Sequence, residues 1–226
     1  MKPLDSSSLK RKAVEWGAAI MGVADLELLL RSKPDLLRNV GPGYTRAVVM
    51  GVPLSSAVLK TIVDQPTPIY AHHYQQVNYM LDRMALRMSL EIQKRGYEAL
   101  PVPASQIIRN RPVQGHLSHK QLGWAAGLGH IGRSTLLVHP AYGARVRYVS
   151  VLTNMPLKPG EPSTRTCGTC HACMAICPAQ AIHDTAVQYD LSACHARLEG
   201  FAKIPFVGQR ICGLCVKVCR GQRAKR

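Results

Sequence analysis

The chain has 226 residues, 46% of them hydrophobic, and a formal net charge of +16 from 29 Lys and Arg against 13 Asp and Glu. That length suits one medium domain and a small one, and the apolar content supports a packed core. No apolar run reaches the roughly 18 residues of a membrane span, and residues 1–9 lack the apolar centre of a secretory leader, so neither a transmembrane helix nor export is expected.

In chain order, Ser6, Ser7 and Ser8 offer a cap for a helix running to about residue 21, with Leu9, Val14 and Ile20 among its apolar positions. Residues 24–40 read as short helical structure broken at Pro34. Residues 47–54, AVVMGVPL, have the β-branched, continuously apolar character of a buried strand. Residues 70–95 form the longest predicted helix; Val77, Met80, Leu81, Met84, Met88 and Ile92 make an apolar stripe at helical spacing, and Gly96 ends it. Its methionines read as core filler. Residues 97–103 follow as a strand, 104–116 as a polar loop and 117–126 as a helix. Residues 136–138 and 146–153 read as strands forming a hairpin around residues 141–143. Three prolines between residues 155 and 163 begin a linker, giving domains at 1–160 and 161–226.

Charge is unevenly distributed. Residues 99–160 contain no Asp or Glu but carry Arg109, Arg111, Lys120, Arg133, Arg145, Arg147 and Lys158. After Glu199 the acids stop, while Lys203, Arg210, Lys217, Arg220, Arg223, Lys225 and Arg226 continue. A basic stretch without carboxylates suits an anionic ligand or an acidic partner such as ferredoxin or flavodoxin, and it leaves no local carboxylate to act as a general acid. The basic end of the chain also reads as a solvated tail.

Residues 127–132, GLGHIG, match G-x-G-x-x-G. A dinucleotide fingerprint needs a strand before it and an acid about 20 residues later. Here a helix precedes it and the next acid is Glu161, which argues against a Rossmann site. Two readings remain: a loop whose backbone approaches a ligand closely, or a plain tight turn.

All eight cysteines lie in the last 60 residues, and Cys167, Cys170, Cys173 and Cys177 followed by Pro178 give C-x2-C-x2-C-x3-C-P. This is the bacterial ferredoxin spacing, in which the fourth cysteine serves the other cluster. With Cys194, Cys212, Cys215 and Cys219, the thiols suffice for two 4Fe–4S clusters. Cys167, Cys170, Cys173 and Cys219 are assigned to one cluster, and Cys177, Cys194, Cys212 and Cys215 to the other; exchanging Cys177 with Cys219 is the alternative pairing. Zinc fits the three-ligand run poorly, and disulfides fit such close cysteines poorly. Two clusters at about −2 each leave the loaded protein near +12. Exposed clusters and reduced thiols point to the cytoplasm.

Residues 116–157, HLSHKQLGWAAGLGHIGRSTLLVHPAYGARVRYVSVLTNMPL, and the cluster block ending ICGLCVKVC together resemble the epoxyqueuosine reductase family and its relatives, the reductive dehalogenases. The resemblance extends over about residues 8–220 and rests on the ordered combination of both blocks. It implies an α+β fold: a nitroreductase-like, cobalamin-binding core followed by a ferredoxin-like two-cluster module. Electrons would pass from an external donor through the clusters to cobalt, which reduces an organic substrate. Gly127, Gly129, His130, Gly132 and Arg133 would lie at the cofactor. The family's Asp after the strand at 97–102 is missing, since that place reads Val102, Pro103, Ala104 and Ser105. His130 stands where Trp is usual, Arg133 where Lys is usual and Arg220 where Pro is usual. The chain is shorter than full epoxyqueuosine reductases, so C-terminal tRNA-binding repeats and queuosine synthesis are not expected.

The expected function is a cobalamin-dependent reductase of a small molecule. The alternative is a non-catalytic electron carrier that reduces a corrinoid on another protein. A nucleic-acid-modifying enzyme is a third class; the missing carboxylate counts against it, and neither nucleic acid nor membrane is an expected partner. Tyr97, Tyr142 and Tyr148 are candidate proton donors by analogy with the dehalogenases, although each also suits a half-buried core position. His130 could face a cofactor metal or be structural, and Arg133 could bind an anion or be solvated.

Overall fold

The computed structural model describes residues 4–32, 34–38, 40–110 and 113–221. Arg111, Arg223, Lys225 and Arg226, counted above in the basic stretches, lie outside the described residues.

Helix α1, Ser7–Glu15, buries Leu9 and Ala13 one turn apart. It stops well short of residue 21 because Gly17 adopts φ +102, a left-handed conformation that breaks the helix. The chain then extends as β1, Ile20–Asp25, where sequence periodicity suggested helix. Gly22 is required in that strand: a Cβ there would meet Leu128 Cδ2 at 2.8 Å and Ala126 O at 2.9 Å. Asp25 ends the strand and starts α2, Leu26–Ser32, its Oδ1 accepting from Glu27 N at 2.9 Å. A 3-10 turn at Pro34–Leu37 follows.

Strand β2, Arg46–Pro53, is the predicted apolar strand, with residues 47–52 buried. It pairs antiparallel with β1, from Ile20 opposite Gly51 to Asp25 opposite Arg46. Short α3, Ser56–Lys60, is capped by the Ser55 side chain. Helix α4, Pro68–Gln93, begins with Pro at a position where no amide donor is needed. Its predicted stripe is buried at Val77, Leu81, Met84, Met88 and Ile92. Gly96, at φ +81, follows the helix end.

Strand β3, Ala99–Val102, pairs antiparallel with β8, Val146–Thr153, with Val102 opposite Ser150. The sheet order is β1-β2-β8-β3. The loop predicted at 104–116 contains a small ladder, β4 (Arg109–Asn110) with β5 (Val113–Gln114), and α5, His119–Ala125, packs on β1. The expected 136–138/146–153 hairpin is replaced: β7, Leu137–Val138, pairs with β6, His130–Ile131, while β8 joins the large sheet. The physical reason is burial, since residues 148–153 are all buried and need a partner on each side. Beyond the prolines come α6 (Ala172–Ala175), a 3-10 turn at Ala186–Gln188, α7 (Leu191–Ala202) and α8 (Leu214–Val218).

The chain forms two compact units that interleave in sequence rather than meeting once near residue 160. The first comprises 1–52, 78–128 and 147–163; the second 53–77, 129–146 and 164–226. The first holds the four-stranded sheet, with Leu26, Met50, Leu81, Met88 and Leu152 fully buried. The second holds every cysteine and recruits two segments from the expected core domain. Close approach accounts for residues 129–146: a Cβ on Gly143 would stand 2.1 Å from Cys219 O, and one on Gly132 3.2 Å from Cys167 Sγ. Mixed α and β structure agrees with the expected fold class at that level. Among the described residues, no helix is long and apolar enough to cross a membrane.

Candidate functional site

Within the second unit, Cys167, Cys170, Cys173 and Cys219 line one cavity of about 280 Å3. Cys167 and Cys170 come from the loop leading into α6, where Cys170 N donates to Cys167 O at 3.2 Å, and Cys173 from the helix itself. Arg133 clamps this loop, donating from Nη1 to Cys170 O at 2.9 Å and from Nη2 to Gly168 O at 2.8 Å. Cys219 arrives from the end of α8. A Cβ on Gly143, at φ +64, would lie 2.1 Å from Cys219 O, so only glycine lets that segment in.

Burial raises the Cys173 thiol, and the neighbouring Cys167 and Cys219 add to the shift. Cys219 is likewise pushed up by burial, then by Cys167 and Cys170. All eight cysteines are free thiols. Among the described residues, no three His, Cys, Asp or Glu side chains converge on a single-ion site. Four thiols set around a larger space fit a polynuclear iron–sulfur group better than one tetrahedral ion. The wall offers a further sign: Arg133 Nε is buried with no hydrogen-bond partner.

The other four thiols form a second group. Burial raises Cys215, and Cys212, Cys194, Cys173 and Cys177 follow as causes. Cys212 is raised by burial and by Cys194 and Cys177. Asp190 caps α7, its Oδ1 accepting from Ala193 N at 2.9 Å, and so fixes Cys194 in the first turn. Ala181 N donates to Cys177 Sγ at 3.4 Å. Tyr189, which the sequence did not single out, is held neutral by burial and by a hydrogen bond with Cys194. Its position before the α7 cap carries no motif that could have marked it.

His130 is buried, and its Nε2 lies 3.7 Å from Cys167 Sγ. Burial lowers its pKa, with Arg165 adding to the effect. The glycine loop lies close against the rest of the chain, with His130, Gly132 and Arg133 on the wall of the first thiol cavity. A Cβ on Gly127 would lie 2.6 Å from Glu161 O, and one on Gly129 2.2 Å from Val138 O. On Gly132 it would meet Val138 Cγ2 at 2.8 Å and Cys167 Sγ at 3.2 Å. These close approaches are of the chain to itself.

The three tyrosines are dispersed. Tyr97 and Tyr148 belong to the first unit, at opposite ends of the β3–β8 ladder, and Tyr142 belongs to the second. Tyr142 packs against His139 with ring centroids 5.2 Å apart. Tyr148 is buried and its hydroxyl has no partner; burial raises its pKa.

At the end of β3 a carboxylate from outside the acid-free stretch comes within reach. Asp82, on α4, accepts from Ala104 N at 2.8 Å. Arg147 donates to Asn78 Oδ1 at 3.1 Å and to Ala104 O at 3.3 Å. His119 Nε2 sits 2.9 Å from Pro103 O and its Nδ1 2.9 Å from Ser150 Oγ. The carbonyl can only accept, so Nε2 carries the proton and Nδ1 accepts from the serine hydroxyl. Some of the ring surface meets solvent, yet protein encloses it enough that burial lowers its pKa to about 4, with Arg147 opposing protonation further. Only the helical phase of Asn78 and Asp82, one turn apart, could have suggested this group.

No family model matches the chain. It is 30% identical over 263 aligned positions to the epoxyqueuosine reductase of Vibrio cholerae, covering 96% of this chain and 67% of that protein. The enzyme of the same name from Salmonella typhimurium is 25% identical over 268 positions, covering 98% and 66%. The matched stretch spans only 17% of the Listeria monocytogenes relative and 31% of the Bacillus subtilis one. In fold, the chain is similar to a catabolic reductive dehalogenase solved with 3-bromo-4-hydroxybenzoic acid, at a TM-score of 0.69 and 19% identity, covering 92% of this chain and 30% of that one. It is also similar to epoxyqueuosine reductase from Streptococcus thermophilus, at a TM-score of 0.60 and 17% identity, covering 97% and 66%.

Proposed function

Because the chain belongs to the epoxyqueuosine reductase family, we propose that it is an oxidoreductase passing electrons through two 4Fe–4S clusters to a bound corrinoid, for reduction of a small organic substrate. The observation that carries this reading is the gathering of Cys167, Cys170, Cys173 and Cys219 around one cavity whose wall bears an unpaired buried N–H. The second cluster falls to Cys177, Cys194, Cys212 and Cys215. Exchanging Cys177 with Cys219 is disfavoured, since Cys219 lines the first cavity while Cys177 acts on Cys212 and Cys215. Cys173 also acts on Cys215, so the two sets are neighbours, as an electron relay requires.

A bound corrinoid supplies a strongly reducing metal centre. The contacts expected for it at Gly127 and Gly129 do not fit, because the chain itself fills the open side of both residues. The residues suited to hold or move a proton are Tyr148, whose hydroxyl lacks a partner, and Asp82 and His119 at the end of β3, beside the fixed charge of Arg147. The filled glycine loop favours a second reading, an electron carrier that reduces a corrinoid held by another protein.

Anaerobic reconstitution with iron and sulfide, followed by cobalamin titration, separates these readings. About eight irons, reducible EPR signals and a shifted corrinoid spectrum are expected. Clusters without corrinoid binding leave only the carrier reading. Zinc in place of iron, with no reducible signal, removes both.

A further inference from the structure

His130 and Arg133 flank a tight turn at Gly132 and both line the cavity of the first thiol set. His130 is 4% exposed, with Nε2 3.7 Å from Cys167 Sγ. That distance suits a hydrogen bond to sulfur, whose acceptor lone pairs are larger and more diffuse than those of oxygen. A thiolate bound to iron carries no proton and can only accept, so the contact is a hydrogen bond with the proton on Nε2. Arg133 commits Nη1 and Nη2 to the carbonyls of Cys170 and Gly168, which fixes its plane and leaves Nε buried and unpaired. The second thiol set has the Ala181 amide on Cys177, the Tyr189 hydroxyl on Cys194 and the Leu214 amide on Cys212, and its cation, Arg197, acts on Cys212 behind that amide.

Hydrogen-bond donors and positive charge beside a cluster stabilise its reduced state, the more negative of the two, and so raise its reduction potential. We propose that His130 and Arg133 form a polar cap that raises the potential of the cluster held by Cys167, Cys170, Cys173 and Cys219, making it the preferred seat of the electron in the pair. The inference rests on the two-cluster reading above. The step is the transfer of one electron from an external reductant into that cluster, with no bond made or broken. His130 and Arg133 act as positioning residues through the cysteine loop and its sulfur, and neither is asked to transfer a proton.

The test is an EPR-monitored redox titration of reconstituted protein, comparing wild type with His130→Phe, His130→Leu, His130→Gln and Arg133→Gln. Loss of one net hydrogen bond should lower the reduced-to-oxidised ratio of one cluster about fivefold at fixed ambient potential in His130→Phe, leaving the other cluster unmoved. His130→Gln, which retains an N–H donor, should recover most of that change. Arg133→Gln should move the same cluster in the same direction. Potentials identical in wild type and His130→Phe, with both clusters intact, overturn this inference alone. So does a shift confined to the other cluster. Loss of half the iron from both His130→Phe and His130→Leu would make His130 a structural wall and overturn the tuning role. Wild-type protein that assembles no reducible cluster overturns the two-cluster reading and this inference with it.

Discussion

His119 shows how much one enclosed side chain can decide. Its ring is held between the Pro103 carbonyl and the Ser150 hydroxyl, and burial brings its pKa from 6.5 to about 4. The unfolded chain binds a proton near pH 6.5 that the folded chain refuses until about pH 4. The His119 contribution is therefore complete above pH 6.5 and is lost as pH falls toward 4. With allowance for solvent at the ring edge, it should remove about 1 kcal/mol of stability between about pH 7.5 and about pH 5.5. His119→Gln keeps an N–H for the carbonyl and does not titrate, so urea midpoints should show a flatter dependence by that amount. His73, His130 and His139 are also lowered by burial, so some slope will remain. An unchanged slope in the variant would place the acid sensitivity elsewhere. Nothing in the sequence around His119 announces this role. Its partners lie 16 and 31 residues away and meet it only through the β3–β8 register.

Elements differ in how far their own residues define them. The stripe of α4 and the β-branched run of β2 are legible because each is long and buried along its length. Strand β1 is not legible, since its apolar residues continue the helical spacing of α1 and only the left-handed Gly17 separates the two. The β6–β7 ladder has two residues per strand, too few to carry a period. Its place is set by glycines instead, and these should be intolerant of change. A Cβ on Gly143 would stand 2.1 Å from Cys219 O, and the residue also holds φ +64. Gly143→Ala should therefore combine a backbone clash with left-handed strain and cost about 2–4 kcal/mol, with loss of iron from the first thiol set. Gly41 holds a similar φ of +82 but has nothing within 4 Å. Gly41→Ala should cost only the strain, about 1 kcal/mol, with iron content unchanged. Chemical denaturation and iron assay on both variants separate clash from strain; equal costs would mean that the close approach to Cys219 is not limiting.

At the scale of the molecule, cysteine order sets three neighbouring thiols beside a distant fourth, the arrangement a ferredoxin-type cluster needs. It does not anticipate that residues 129–146 belong to the same compact unit as the cysteines, since that depends on glycine approaches invisible in spacing. Charge is legible directly. The chain carries +16, and among the described residues of its final stretch Lys203, Arg210, Lys217 and Arg220 follow Glu199 with no further acid. Arg210 pairs with Glu199 at 3.9 Å, and Lys217 Nζ donates to the Ile62 carbonyl. These cations lie in the cysteine-bearing unit, where an electron donor would dock. An acidic flavodoxin should therefore reduce the loaded protein by an encounter that the charges accelerate. Exposed charges are screened over about 10 Å at about 0.1 M salt and about 3 Å at about 1 M. The bimolecular reduction rate should fall at least about tenfold across that range, the span expected when steering rather than contact chemistry sets the on-rate. Stopped-flow reduction at several ionic strengths measures this, with a small uncharged reductant as the control whose rate should not move. Replacing Lys203 by Glu should lower the low-salt rate and flatten its salt dependence while leaving the control rate intact. A flavodoxin rate indifferent to salt, or a charge-reversed variant that keeps the wild-type slope, would assign the positive charge to some partner other than an acidic donor.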